Sequence, residues 1–487
     1  MLTELIAILL VGALLAWVSE LISPHLAKWV ALLSLLVALV PLRSLVILAN
    51  HSGPQNWIVN ESTVWISRFN ISFHLALDGL SLLLVLLTFF MGFIALLSAW
   101  KEITYRCGFF YFNLLCSLAG VVGVFCALDL MLFFVFWEVM LVPMYLLIAI
   151  WGYENRRYAA LKFFLFTQAG GLVMLLSICA LVLLHYQSSG QISFDYQDLI
   201  HHQLSDTAAF WVMLGFFIAF VIKLPIVPFH TWLADAHTQA PTAVSVILAA
   251  VLLKTGGYGL LRFALPMFPA ASIEIAPYVM VIAVISIIYG AIMAFAQQDL
   301  KRLVAYSSVS HMGFVLLGCY ALTLQAWQGA ILQMLAHGVS TAALFALVGA
   351  IQYRYHSRDL AALGGLWQVI PKLSAMLLFF VIASLGMPGL GNFVAEFLVL
   401  VGSFKTDPKI TIAAASGLIL AAIYSLRIAQ QTLFGPLKLG KSFDLDGREI
   451  SMMLSMVLLL LWMGLHPQPL LDIALQSVSQ LPIGAKL

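Results

Sequence analysis

The chain has 487 residues, 63% of them hydrophobic and 9% charged, with a mean hydropathy of +1.04. A water-surfaced globule carries about 25% charged residues, so that class is excluded. A formal net charge of +2 offers nucleic acid no electrostatic footprint. The apolar runs are about 20 residues long, the length of a membrane-crossing helix rather than of a 10-residue alternating strand. An all-α polytopic membrane protein is the expected fold class.

In chain order, apolar runs between polar or turn-like breaks predict fourteen spans: 2–22, 26–48, 79–100, 108–127, 129–151, 160–186 and 207–237, then 243–265, 275–296, 303–323, 327–350, 372–404, 411–434 and 451–470. The first carries Glu4 and no basic segment before its apolar run, so it reads as a span rather than a cleaved signal. The seventh, FFIAFVIKLPIVPFHTWLADAH, has Pro225 and Pro228 near its centre; the twelfth, FFVIASLGMPGLGNFVAEFLVL, has Gly386, Pro388, Gly389 and Gly391 together. Proline removes a donor and clashes with the preceding turn, so both spans are expected to break in mid-membrane. The tripeptide FVI precedes each break, at 220–222 and 380–382. Spans 4–8 (108–265) and 9–13 (275–434) then form two five-helix repeats, and an odd span count makes them inverted. Residues 1–107 hold the first three helices, and 435–487 a loop and the fourteenth.

Cationic loops set orientation. With fourteen spans the termini share a side, which holds six Lys and Arg (Arg43, Arg68, Arg262, Lys405, Lys409, Lys486). The other side holds 15 of the 23, from Lys28 and Lys101 through Lys301 and Arg302 to Lys441 and Arg448, and Lys223 and Lys254 fall inside spans. Both termini are expected to face outward, and an inward cationic excess fits a bacterial plasma membrane.

Four charges lie deep in spans: Glu138, Lys223, Lys254 and Glu396. Each costs roughly 2.5–3.5 kcal/mol to insert, so the set costs on the order of 10–14 kcal/mol. Helix association alone is served by small and hydroxyl residues; two acids and two bases at this depth suit a charge pathway. An apolar interior disfavours an ammonium and a nearby carboxylate favours it, so a change in their separation makes the lysine take up or release a proton. Glu138 and Lys223 can form such a pair, and Lys254, with no acid in its span, can release readily. His230, His311 and His337 are candidate relays, His337 most of all because Gly338, Ser340 and Thr341 surround it. His237 also follows the seventh break. Glu102, at the edge of the third span, reads as a solvated carboxylate.

The five cysteines (Cys107, Cys116, Cys126, Cys179, Cys319) lie in or beside apolar runs without a CxxC, so they read as buried small hydrophobes; no metal, haem or iron–sulfur site is expected. There is no GxxxxGK[ST] phosphate loop and no dinucleotide fingerprint. Energy must come from an ion gradient or from partner subunits.

Three segments carry a family resemblance: FWEVMLVPMYLLIAIWG (136–152), KLPIVPFHTWLADAHTQAPTAVSVILAAVLLKTGGYGLLR (223–262) and YSSVSHMG (306–313). They resemble the antiporter-like subunits of respiratory complex I, the bacterial NADH:quinone oxidoreductase, and among these the M type. The resemblance covers spans 4 to 13. It implies fourteen helices, inverted repeats and proton translocation driven by quinone reduction elsewhere. FMN, iron–sulfur clusters and quinone are then expected in partner subunits, and L-type and N-type membrane subunits and lipids as neighbours. Carried over by position, Glu138 and Lys223 are the coupled pair, Lys254 the central carrier, His311 and His337 the relay and Glu396 the exit-side group. A carboxylate at 396 favours the M type, since sibling subunits tend to have lysine there. Ala234 and Ile247 depart from the family pattern, which touches side-uptake details and none of the four charges. The rival readings are a subunit of a multi-subunit sodium/proton antiporter, a membrane subunit of a hydrogenase complex, and a structural anchor, which mid-membrane lysines disfavour.

Overall fold

The computed structural model describes residues 1–51, 57–438, 440 and 442–478; Lys441 and Lys486 lie outside the described residues. Helices α1 (Leu2–Ser19) and α2 (Pro24–His51) are followed by a hairpin of β1 (Val59–Ile66) and β2 (Ile71–Leu77). The strands pair antiparallel from Val59↔Leu77, and Asn70 in the left-handed region (φ 52°) turns the chain between them. A search for 20-residue apolar runs passes over this hairpin, although Val59, Thr63, Val64, Trp65 and Ile66 are good strand formers.

Next come α3 (Gly79–Glu102), α4 (Cys107–Cys126), α5 (Leu130–Trp151), α6 (Arg156–Ser189) and a short α7 (Tyr196–Leu199). The seventh span is α8 (Asp206–Lys223) and α9 (Thr231–Gln239). The eighth comprises α10 (Thr242–Ile247), a π turn (Leu248–Leu252), α11 (Leu253–Gly259), a second π turn (Leu260–Ala264) and α12 (Leu265–Met267). Helices α13 (Pro269–Ala296), α14 (Leu300–Tyr320) and α15 (Leu324–Tyr355) are continuous. After α16 (Leu366–Val369), the twelfth span divides into α17 (Pro371–Leu385) and α18 (Gly391–Phe404). Finally α19 (Pro408–Ile428) and α20 (Gly447–Leu465) precede an eleven-residue helix, α21 (Gln468–Val478).

Thirteen helices among the described residues are long and apolar enough to cross a membrane, and α17 with α18 adds the divided one. The architecture is therefore predominantly α-helical and polytopic, as the sequence predicts, with the β1–β2 hairpin as the addition. Helix starts follow local chemistry: the side chains of Asp78, Asp129, Asp299, Thr323 and Asp407 each accept from backbone N–H groups of the first turn.

Where the core sits explains where the polar groups sit. The apolar window of the eighth span is 100% buried, as is that of α14, and that of α15 is 94% buried. The windows of α2 and α20 are 33% and 28% buried. Helices covered by protein on all sides can carry polar side chains among themselves, whereas outer helices present Leu14, Leu33 and Leu458 outward. Lys254, His311 and His337 all belong to the covered helices. Four cysteines are buried, but Cys179 is exposed on α6, where a small apolar thiol suits a lipid-facing surface. Arg262, counted above with the outer side, is instead buried in the second π turn and ion-paired with Asp78.

A second pair of matched features joins the two breaks. Asp129 caps α5 and bridges Asp195, in the segment after α6; Asp299 caps α14 and bridges Asp359, in the segment after α15.

Candidate functional site

Lys223 is the last residue of α8, and the chain leaves helical geometry at Leu224. Proline at 225 and 228 frees backbone groups that find partners: Trp232 Nε1 donates to Ile222 O at 3.0 Å, and Val227 N donates to Ser286 Oγ at 3.0 Å. The break is therefore satisfied and built, consistent with non-helical backbone at membrane depth only inside protein. The Lys223 ammonium, 1% exposed, lies 5.2 Å from the Trp137 ring and 5.5 Å from that of Phe163. It has no hydrogen-bond partner among the described residues, and neither has Glu138 Oε1. The two groups interact electrostatically without a direct ion pair, and Glu138 also meets Gln168. Gly171 makes room for the carboxylate: a Cβ there would stand 2.7 Å from Glu138 Oε1.

Lys254 sits between the two π turns. Its ammonium donates to Ala249 O at 2.5 Å and lies 2.8 Å from His337 Nδ1. Widening the helix at 248–252 offers a carbonyl to the side chain, and π turns recur at functional positions. Gly256 brings this helix against the seventh break, since a Cβ there would meet Phe220 O at 2.4 Å and Leu224 N at 2.8 Å. Lys254 is completely buried.

From Lys254 the contacts continue. The rings of His337 and His311 are 5.5 Å apart between centroids. His311 Nδ1 lies 2.7 Å from Glu396 Oε1, and the same oxygen accepts from Gln333 Nε2 at 2.8 Å. His311 Nε2 lies 3.0 Å from the Tyr424 hydroxyl and 3.3 Å from Ser384 Oγ. Glu396 is 1% exposed, and its Oε2 faces Gly386, which takes a left-handed conformation (φ 83°) at the end of α17. Glycine is suited to that backbone, so the break in the twelfth span and the position of the carboxylate are one feature. The structure thus brings Lys254, His337, His311 and Glu396 into one buried row, with Glu138 and Lys223 at a separate position beside the seventh break.

His230 stands apart from that row. It is 4% exposed, its ring is 5.1 Å from that of Tyr289, and neither nitrogen has a hydrogen-bond partner among the described residues.

Several polar groups come from packing that the sequence reading did not anticipate. Lys301, counted above as a loop cation, is fully buried and donates to Ala240 O at 2.5 Å. It interacts with Glu102, whose Oε1 accepts from Thr242 N at 3.1 Å and from the Tyr153 hydroxyl at 3.4 Å. Glu102 lines a cavity of about 550 Å³ with Lys101, Tyr153, His356 and Glu449. His237 is fully buried, stacks on Phe345 at 4.3 Å and interacts with both Lys301 and Lys254. Gln333 had a readable signal: it lies four residues before His337, on the same helix face. Tyr424 had a weaker one, a lone hydroxyl aromatic within an apolar span.

Among the described residues no group of three or more His, Cys, Asp or Glu side chains could hold a metal ion. The buried row places titratable groups at hydrogen-bonding distance at its two ends, Lys254 with His337 and His311 with Glu396, while the two imidazoles between them are ring neighbours and His337 Nε2 has no hydrogen-bond partner among the described residues.

The family model described as "NADH:quinone oxidoreductase/Mrp antiporter, TM" matches residues 127–423. NADH-quinone oxidoreductase subunit M of Pseudomonas aeruginosa is 51% identical over 489 aligned residues, covering 97% of this chain and 96% of the relative. Among solved structures, a chain of respiratory complex I from Thermus thermophilus with bound NADH superposes with a TM-score of 0.88 at 32% identity, covering 99% of this chain and all of that one. A chain of the Mrp complex from a Dietzia species shares the fold, with a TM-score of 0.83 at 22% identity over 98% of this chain and 52% of that one. By sequence along nearly its whole length and by fold, the chain belongs to the family of NADH-quinone oxidoreductase subunit M, the membrane subunits of an oxidoreductase complex.

Proposed function

We propose that this chain moves protons across the membrane as a subunit of a redox-driven NADH:quinone oxidoreductase, without a redox cofactor of its own. The observation that carries the reading is the buried row from Lys254 through His337 and His311 to Glu396. Lys254 is the central carrier, passing its proton to Nδ1 of His337. His311 delivers to Glu396, the exit-side group at the twelfth break. Glu138 and Lys223 act as the switchable pair: the ammonium holds no fixed hydrogen bond, so its proton affinity follows the position of the carboxylate. His230 belongs to a side branch of the relay.

FMN, iron–sulfur clusters and quinone belong to partner subunits in this reading, and L-type and N-type membrane subunits and lipid are the neighbours. The chain lies in the bacterial inner membrane with both termini outward. Spans 4–8 (108–265) and 9–13 (275–434) are inverted repeats, a division supported by the matched Asp129 and Asp299 caps. Residues 1–107 and 435–487 flank them.

The test is a tagged purification from native membranes in mild detergent. The reading expects NADH oxidation by quinone, with flavin and iron–sulfur absorbance, to co-purify with the chain. Replacing Lys254 by Ala leaves that complex assembled and lowers its proton transport. Recovery with small hydrophobic partners only, together with sodium/proton exchange, would overturn the reading in favour of an antiporter.

A further inference from the structure

His311 has both ring nitrogens engaged. Nδ1 faces Glu396 Oε1, while Nε2 faces two hydroxyls, Tyr424 at 3.0 Å and Ser384 at 3.3 Å. Tyr424 is 1% exposed and belongs to α19, an element that carries none of the four mid-membrane charges. A carboxylate only accepts, so an ionised Glu396 requires the N–H of His311 on Nδ1. In the neutral imidazole Nε2 is then a bare lone pair, and a buried acceptor without a donor costs about 1–3 kcal/mol. The nearer hydroxyl is that of Tyr424. On the other side, Gln333 Nε2 fixes the same Glu396 oxygen at 2.8 Å, so the imidazole is held between two set positions.

Resting on the proton-transfer reading above, we infer that Tyr424 is a positioning residue: its hydroxyl donates to Nε2 of His311, holds the Nδ1–H on Glu396 and so gives the transfer its direction. A proton arriving at Nε2 forms a new N–H there, and Tyr424 turns to accept it. The Nδ1–H bond then breaks and its proton forms an O–H on Glu396. The imidazole is neutral before and after, Tyr424 keeps its own proton, and one proton has moved from the Nε2 face of the ring, which the Tyr424 and Ser384 hydroxyls line, to the carboxylate. Without the tyrosine the ring is free to turn, and an Nε2–H tautomer that faces away from Glu396 becomes accessible. Ser384 is the second donor. It sits two residues before Gly386, so its place is tied to the break in the twelfth span, whereas Tyr424 is on a continuous helix.

The experiment uses the intact complex in proteoliposomes with Tyr424→Phe, Ser384→Ala and the double variant, and with Glu396→Gln as the control for the proton reading. Protons moved per electron are measured alongside the uncoupled NADH:quinone rate and the amount of assembled complex. Tyr424→Phe is expected to lower the proton yield about fivefold, the factor that corresponds to one neutral hydrogen bond of about 1 kcal/mol, with assembly unchanged. Ser384→Ala alone stays near the native yield. The double variant falls below the product of the two single effects, because both donors to one atom are gone. A native proton yield in Tyr424→Phe, or a loss only in proportion to lost complex, overturns the assignment of Tyr424. If Glu396→Gln keeps the native yield, the proton-transfer reading itself fails. A loss in Glu396→Gln with no loss in Tyr424→Phe removes only the tyrosine's role.

Discussion

Replacing Lys254 by Arg separates a transferable proton from a fixed positive charge. Lys254 is fully buried, with its ammonium 2.5 Å from Ala249 O and 2.8 Å from His337 Nδ1. Arginine keeps the charge, but with a pKa above about 12 its neutral fraction at pH 7 is on the order of 10⁻⁵ or less. A residue that must give its proton to His337 each turnover cannot do so from that state. Lys254→Met is the neutral counterpart: it forfeits two charge-assisted contacts of about 1.5–3 kcal/mol each and removes an insertion cost of roughly 2.5–3.5 kcal/mol. The insertion gain offsets between about half and all of the roughly 3–6 kcal/mol lost with the two contacts, so the methionine variant is expected to assemble. The larger guanidinium overfills a packed site, at about 1–3 kcal/mol. Both variants are expected to lose at least tenfold in protons moved per electron, measured with a pH-sensitive dye in proteoliposomes against the uncoupled NADH:quinone rate. A purely electrostatic role would leave Lys254→Arg active, and a native proton yield in that variant refutes the carrier assignment.

Three further outcomes test other parts of the structure. Arg262→Met strands the buried Asp78 carboxylate and is expected to destabilise the chain by about 3–5 kcal/mol; a thermal scan of the purified complex should show the loss and a partial recovery when Asp78→Asn is added, while an unchanged transition would argue against the pair. Gly171→Ala places a methyl 2.7 Å from Glu138 Oε1 and must displace the carboxylate, so proton yield should fall with assembly kept, and a native yield would mean that the position of Glu138 is not critical. Asp446 caps α20 in a capping box and meets Lys101 at 2.7 Å. Although burial acts to raise its carboxyl, the Lys101 contact and the Glu449 N–H hold it below its usual 3.8. A depressed carboxyl stabilises the fold above its unfolded value, and that support is lost as pH falls through the lower one. Amide exchange at 447–449 should therefore quicken only below about pH 4, and quickening that begins near neutrality would contradict it.

The sequence displays what is anomalous in an apolar context. Glu138, Lys223, Lys254 and Glu396 stand out because each interrupts a run of aliphatic residues, and Pro225, Pro228, Gly386 and Gly389 mark the breaks through backbone chemistry. Partnerships are another matter. His311 and Glu396 are 85 positions apart, and Lys254 and His337 are 83 apart, so their contacts arise only when α14 and α15 pack against the eighth span and α18 packs against α14 and α15. Lys301 looked like a loop cation because it follows the Asp299 cap beside Arg302; packing buries it under the Ala240 carbonyl. The π turn at 248–252 contains neither glycine nor proline, so no local residue announces it. The hairpin at 59–77 escaped because membrane-length runs set the scale of the reading.

The most direct measurement is infrared difference spectroscopy of the complex during NADH-driven turnover, aimed at the carboxyl stretch of Glu396. The account predicts a protonated-carboxyl band that rises and decays with turnover, vanishes in Glu396→Gln and fails to form in Lys254→Arg. Proton pumping at native yield without any Glu396-dependent band would contradict it.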